Sequence, residues 1–132
     1  MTYKIIGLGV VLNKENKVLI DRRLNQGMFG GFWEFPGGKK EPNESIQETI
    51  KREIKEELMI EVDVGDHLIS IDHSYSHKQL HFIVHLCTLI TGKPIPIVSQ
   101  EVRWVNVEEL DSYQFPEANF KIISQLANYL KE

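Results

Sequence analysis

The chain has 132 residues and a single cysteine, Cys87, so no disulfide can form within it. A lone thiol in an apolar run fits a reducing compartment, and the sequence predicts a cytoplasmic protein. Long hydrophobic runs are missing too. No apolar stretch approaches the ~18 residues needed to cross a bilayer, and no basic-plus-apolar cleavable leader is present, so no membrane partner is expected. Positive charge is not in excess: 15 Lys plus Arg stand against 19 Asp plus Glu, for a formal charge of −4. Coating nucleic acid through its phosphates requires a basic face, so no nucleic acid polymer is expected as a partner. A small phosphorylated molecule held through a metal ion is compatible with this charge.

With 42% apolar residues and no repeat, low-complexity tract or linker, residues 1–132 read as one domain with a core of its own. Ile5 to Leu12 and Val18 to Ile20, separated by Asn13-Lys14-Glu15-Asn16, predict two strands joined as a hairpin. Residues 24–32 read as a loop, and Phe32 to Phe35 as a short aromatic strand entering Pro36-Gly37-Gly38. From Ser45 to Leu58 the period changes. Ile46, Ile50, Ile54 and Leu58 recur every four residues, and Ser45 with Glu48 matches a capping box, which together predict a helix. Val62 to Tyr75, Leu80 to Thr91 and Val102 to Val105 read as strands, and Phe120, Ile123, Ala127 and Leu130 lay an apolar stripe on a C-terminal helix. Strands interrupted by one helix and closed by another predict an α/β layered fold with a mixed sheet.

The central helix carries Arg52, Glu53, Glu56 and Glu57, and residues three and four apart share a helix face. Carboxylates clustered there repel one another, and their pKa values rise unless a cation sits among them. Hard oxygen ligands of this kind suit Mg²⁺ or Mn²⁺, which keep waters and take phosphate oxygens as further ligands. A solvated charged face, the common fate of Glu- and Lys-rich helices, is the competing reading.

The order of residues favours the first. Gly38, five residues, Glu44, seven residues, Arg52-Glu53-Ile54, one residue, Glu56-Glu57, one residue, Met59-Ile60 closely resembles the signature of the Nudix hydrolases, with one departure: Met59 stands where that pattern has glycine. A glycine after a helix commonly takes a left-handed conformation, so the departure touches the helix exit more than the chemistry. Trp33 to Lys39, Arg22-Arg23 and Phe115-Pro116-Glu117-Ala118-Asn119 also resemble the MutT-type branch, which acts on oxidised guanine nucleotides.

The resemblance implies an α/β/α sandwich with a mixed sheet and Mg²⁺-dependent attack of water on a nucleoside triphosphate, giving monophosphate and pyrophosphate; Mn²⁺ could serve in place of Mg²⁺. It implies a metal set of Gly38 (through its carbonyl), Glu53, Glu56 and Glu57. Arg52 would orient the glutamates and Glu44 would support the loop or a second ion. Glu53 or Glu56 is the candidate general base. Substrate contacts are implied for Arg23, Phe35, Gly37, Lys39, His77 and Asn119. Many relatives carry an acidic residue six positions before the Trp of a late strand, where this chain has Val98; Glu101 is the nearest replacement. Alternatives within the family are a cytidine nucleotide, ADP-ribose or a dinucleotide polyphosphate. Outside catalysis, segments 73–80 and 115–119 resemble the 8-oxoguanine-sensing domain of adenine glycosylases, which has no need of Glu53, Glu56 and Glu57. The chain is expected as a monomer or homodimer.

Asn119 adds a chemical argument about the base. Oxidation at C8 turns guanine N7 into an N–H donor beside the O6 acceptor, and a side-chain amide can accept from one and donate to the other. Helix capping is the competing role for this residue.

Other patterns are discounted. His73, His77, His81 and His85 recur every four residues, but on a strand they spread over more than ~10 Å, too far for zinc. Gly7-Leu8-Gly9 lacks the third glycine and the helix of a dinucleotide site and reads as a strand with close backbone packing. Trp104 and Phe82 read as core.

Overall fold

The computed structural model describes residues 2–131, with all their side chains except those of Thr2 and Tyr75. Its frame is a seven-stranded mixed sheet. The strands are β1 (Thr2–Leu12), β2 (Val18–Arg22), β3 (Trp33–Glu34), β4 (Gly37–Lys39), β5 (Glu61–Tyr75), β6 (Lys78–Thr91) and β7 (Glu101–Val105). Helix α1 (Ile46–Leu58) lies between β4 and β5; a 3₁₀ turn (Val107–Ser112) and helix α2 (Asn119–Leu130) follow β7. β1 runs parallel to β6 from Thr2↔Lys78 to Leu12↔Thr88, and β6 pairs antiparallel with β5.

Alternation along β1 and β2 sends side chains to opposite faces, where the helices cover them. Leu8, Val10, Val18 and Ile20 meet Ile122, Ile123 and Leu126 of α2. Val11 and Leu19 meet Ile50, Ile54 and Leu58 of α1, together with Cys87, whose thiol is pushed up to about 12 by burial and is inert. The result is an α/β/α sandwich. Gly7 and Gly9 are what let α1 approach: a Cβ at Gly7 would lie 2.9 Å from Ile50 Cγ1, and one at Gly9 2.8 Å from Ile54 Cδ1. Close packing, and no dinucleotide loop, is the use of that pair.

The expected hairpin forms, but it is short. β1 and β2 are both strands, and Asn13 Oδ1 caps the turn between them by accepting from the Glu15 and Lys17 amides at 2.9 and 3.0 Å. As a hairpin, however, they share only the pair Leu12↔Val18. Beyond that pair β2 is flanked by β3, its other edge runs along β7 from Val18↔Val105 to Arg22↔Glu101, and β1 takes β6 and β4 as its further partners. The period-2 pattern identifies strands and their buried faces, but it does not name the neighbour.

Candidate active site

The capping box of α1 forms as read: Ser45 Oγ accepts from the Glu48 amide at 3.1 Å, and the Glu48 carboxylate accepts from the Ser45 amide at 2.8 Å. This fixes the start of the helix, and its 3.6-residue turn then stacks Arg52, Glu53, Glu56 and Glu57 toward the loop and strand at 37–39. Met59 closes the helix in the left-handed region, φ 61° and ψ 32°, with its amide bonded to the Lys55 carbonyl at 3.0 Å. The motif's glycine conformation is therefore kept by a residue that carries a Cβ.

Arg52 is the hub. Its guanidinium forks onto Glu44, with Nη2 2.9 Å from Oε1, and reaches the Lys39 carbonyl at 3.3 Å, Glu53 at 3.4 Å and Glu56 at 3.4 Å. The hydrogen bond from Arg52 holds the Glu44 carboxyl down at about 2. Glu57 is different. Burial, then repulsion from Glu53 and Glu34, pushes its carboxyl up to about 8 despite the Gly37 amide donating to Oε1 at 3.4 Å. Burial also raises Glu53. In the absence of a further cation these two carboxyls hold their protons more tightly than ordinary glutamates, Glu53 despite its contact with Arg52.

A divalent ion fits this donor set. The Glu53 carboxylate lies against Gly38 where any Cβ would collide with it, so only glycine allows the main chain and the carboxylate to meet. Among the described residues no three His, Cys, Asp or Glu side chains form a closed cage. Mg²⁺ does not require one, since it is typically held by one or two carboxylates plus water and phosphate oxygens.

Beside the glutamates a cavity of about 300 Å³ opens. Its apolar walls include Ile6, Leu8, Phe29, Leu80, Phe82 and Phe35, whose ring stacks on Phe115 at 5.2 Å. Polar groups enter at Arg23, Glu34, Gly37, Gly38, Glu57, His73 and Asn119. Asn119 is 8% exposed, and its Oδ1 has no hydrogen-bond partner. The position before α2 falls to Ala118, so the Asn119 amide is not spent on capping.

Of the residues singled out from sequence, Arg23, Phe35, Gly37, Gly38, Glu57 and Asn119 line this one cavity; Glu53 lies against Gly38 of that lining, and Arg52 ties Glu53 to Glu44. Lys39 and Glu56 are exposed. His77 is exposed in the turn after β5 and outside the lining, whereas His73 is half-buried within it. Phe82 is both core and cavity wall, and Trp104 packs on the α1 side. Glu101 is engaged by Arg22 at 3.4 Å and Arg103 at 3.1 Å. Sequence reasoning missed Asp21, Glu34 and His73. A carboxylate ending the apolar run Val18-Leu19-Ile20 was the available signal for Asp21.

A NUDIX domain model matches residues 7–125, and the chain belongs to the NUDIX domain family. It is, by class, a Nudix hydrolase. It is 32% identical over 123 residues to the 8-oxo-dGTP diphosphatase of Haemophilus influenzae (93% of this chain, 90% of that protein). Similarity of 29% over 116 residues links it to the CTP pyrophosphohydrolase of Escherichia coli (88% and 86%). The crystal structure of the MutT protein from Methanosarcina mazei Go1 has a TM-score of 0.87 at 25% identity, covering 99% of this chain and 97% of that one.

Proposed function

We propose that this hydrolase converts 8-oxo-dGTP to 8-oxo-dGMP and pyrophosphate with Mg²⁺. The observation that carries the reading is Asn119: a buried amide with an unpartnered Oδ1, on a residue that lines the largely apolar cavity with Gly37, Gly38 and Glu57. An unpartnered buried acceptor costs about 1–3 kcal/mol until it meets a donor, and the N7–H of an oxidised guanine is one. Unmodified guanine would oppose its N7 lone pair to Oδ1. Selectivity then comes from repulsion as well as attraction.

In this reading Glu53, Glu57 and the Gly38 carbonyl hold the ion, with Glu56 beside them. Bound there, Mg²⁺ would act as a Lewis acid on the phosphate oxygens and lower the pKa of water. Arg52, locked by Glu44, keeps the glutamates in place. Glu56 is the exposed member of the set, touching Arg52 only at 3.4 and 3.5 Å, and it is assigned as the base that takes the proton from the attacking water. Arg23 and Lys39 offset the charge of the triphosphate.

Cytidine nucleotides form the second reading, since cytosine also sets an N–H donor (N4) beside an acceptor (N3), and the Escherichia coli relative is named for CTP. The test is a comparison of kcat/KM for 8-oxo-dGTP, dGTP and CTP with Mg²⁺, with pyrophosphate measured as product. Preference for 8-oxo-dGTP over both supports the assignment. Equal rates on dGTP, or preference for CTP, would overturn it.

A further inference from the structure

Asp21 is the acidic side chain shielded most fully from solvent among the described residues, at 5% exposure, and it is not part of the signature helix. Strand alternation explains why it is inside: Ile20 points toward α2, so Asp21 shares the α1 side of the sheet with Leu19. Directly across the β2–β3 pairing stands Glu34. The two carboxyls line a second cavity, about 230 Å³, with Arg23, Gln26, Val98 and Ser99. Glu34 and Arg23 form the wall between it and the first cavity.

Two of the residues that line this cavity each bury an oxygen with no hydrogen-bond partner, Asp21 Oδ1 and, independently, the hydroxyl of Ser99, which is 8% exposed and comes from the segment before β7. Arg23 is the one cation of the lining, and its ion pair, at 3.3 Å, goes to Glu34. The Asp21 carboxyl shares a side-chain hydrogen bond with Glu34, and the charges of Glu34 and Glu57 repel it more than that of Arg23 attracts it. A buried carboxylate left in this state is costly unless a positive partner arrives. The donors are hard oxygens. They exclude an anion, an apolar guest would leave them unsatisfied, and the volume has room for an ion with several of its waters.

We propose that Asp21, Glu34 and the Ser99 hydroxyl form a second divalent-cation site, distinct from the glutamates of α1. Two carboxylates, a hydroxyl and retained water are a sufficient set for Mg²⁺ or Mn²⁺. An ion there stands at the wall shared with the nucleotide cavity and adds positive charge next to Arg23. The site does not depend on which nucleotide is hydrolysed.

The test counts ions on the full chain without nucleotide, titrating Mn²⁺ and following free Mn²⁺ by electron paramagnetic resonance. Wild type, Asp21→Asn, Ser99→Ala and Glu53→Gln are compared, with circular dichroism to verify folding. Asp21→Asn keeps the volume and deletes a buried charge, so it should fold. It is expected to bind about one Mn²⁺ fewer per chain, and Ser99→Ala to hold that ion roughly tenfold more weakly. Glu53→Gln should retain the Asp21-dependent ion and weaken another. If Asp21→Asn binds Mn²⁺ as wild type does, the carboxyl pair is satisfied by a proton or water and the site does not exist. Loss of one and the same ion in Asp21→Asn and Glu53→Gln would likewise overturn it, as a single shared site. Because no nucleotide is present, a failed substrate assignment leaves this result untouched.

Discussion

Asn119 and Met59 illustrate two ways in which one residue can carry information. Asn119 is buried, its side chain does not cap the helix that follows, and it lines a cavity, which is the basis for the proposed contact with the base. Asn119→Ala should reduce the kcat/KM preference for 8-oxo-dGTP over dGTP by about 1–3 kcal/mol, roughly ten- to a hundredfold, mainly through KM. Steady-state kinetics on both substrates check this, and an unchanged ratio removes Asn119 from base selection. Met59 carries no chemistry. Its side chain is 58% exposed and its backbone left-handed, a conformation that costs a residue with a Cβ more than it costs glycine. Met59→Gly should therefore stabilise the protein by about 1 kcal/mol, seen as a higher Tm with unchanged kcat. A lower Tm would mean that the methionine side chain holds the helix exit.

At the scale of elements, α1 is the part where local sequence and function coincide. Its cap, its apolar stripe at Ile46, Ile50, Ile54 and Leu58, and its charged edge all follow from contacts within about one turn, so its limits and its face could be read directly. Glu53→Gln keeps the helix and removes one charge from the ion's ligands. We expect kcat to fall at least about a thousandfold with the circular dichroism spectrum unchanged. Near-normal turnover in this variant would remove Glu53 from the metal set. The β elements were legible as strands but not as neighbours, because pairing is fixed by tertiary contacts that no window of sequence contains. β2 parts from β1 after Val18 and pairs with β3, which sets Asp21 opposite Glu34, while β7 runs along its other edge and the segment before β7 brings Ser99 beside them. The place of His73 in the cavity wall was not legible for a related reason. Position 77 lies at the tip of the turn, where a sequence comparison places a ligand contact, whereas the cavity wall is four residues earlier on β5. The α1 motif could be found from the sequence, and the acidic pocket beside it could not.

Across the whole molecule, the buried carboxyls tie stability to pH and to metal. Glu57, with a pKa near 8 against an ordinary value near 4.5, binds its proton more tightly in the folded chain than in the unfolded one. Glu53, Asp21 and Glu34 are shifted in the same direction, each chiefly by burial. Between those two pH values the folded state therefore holds more protons than the unfolded state. By linkage, stability must fall as pH rises through that window. Glu44 has the opposite sign. Held near 2 by Arg52, it contributes stability above its ordinary pKa and loses it as pH falls toward 2. The metal-free protein should thus be most stable in weak acid, with a Tm that declines from about pH 5 to pH 8 in the presence of a chelator. On the proposed metal reading Mg²⁺ binds the ionised carboxylates and no comparable group in the unfolded chain, so the Tm gained on adding it should grow over the same range. Thermal melts at a series of pH values, with chelator and with excess Mg²⁺, measure both trends. A chelated protein whose Tm climbs toward pH 8, or a Mg²⁺ gain independent of pH, would show that these carboxyls are ionised and already compensated by the protein itself.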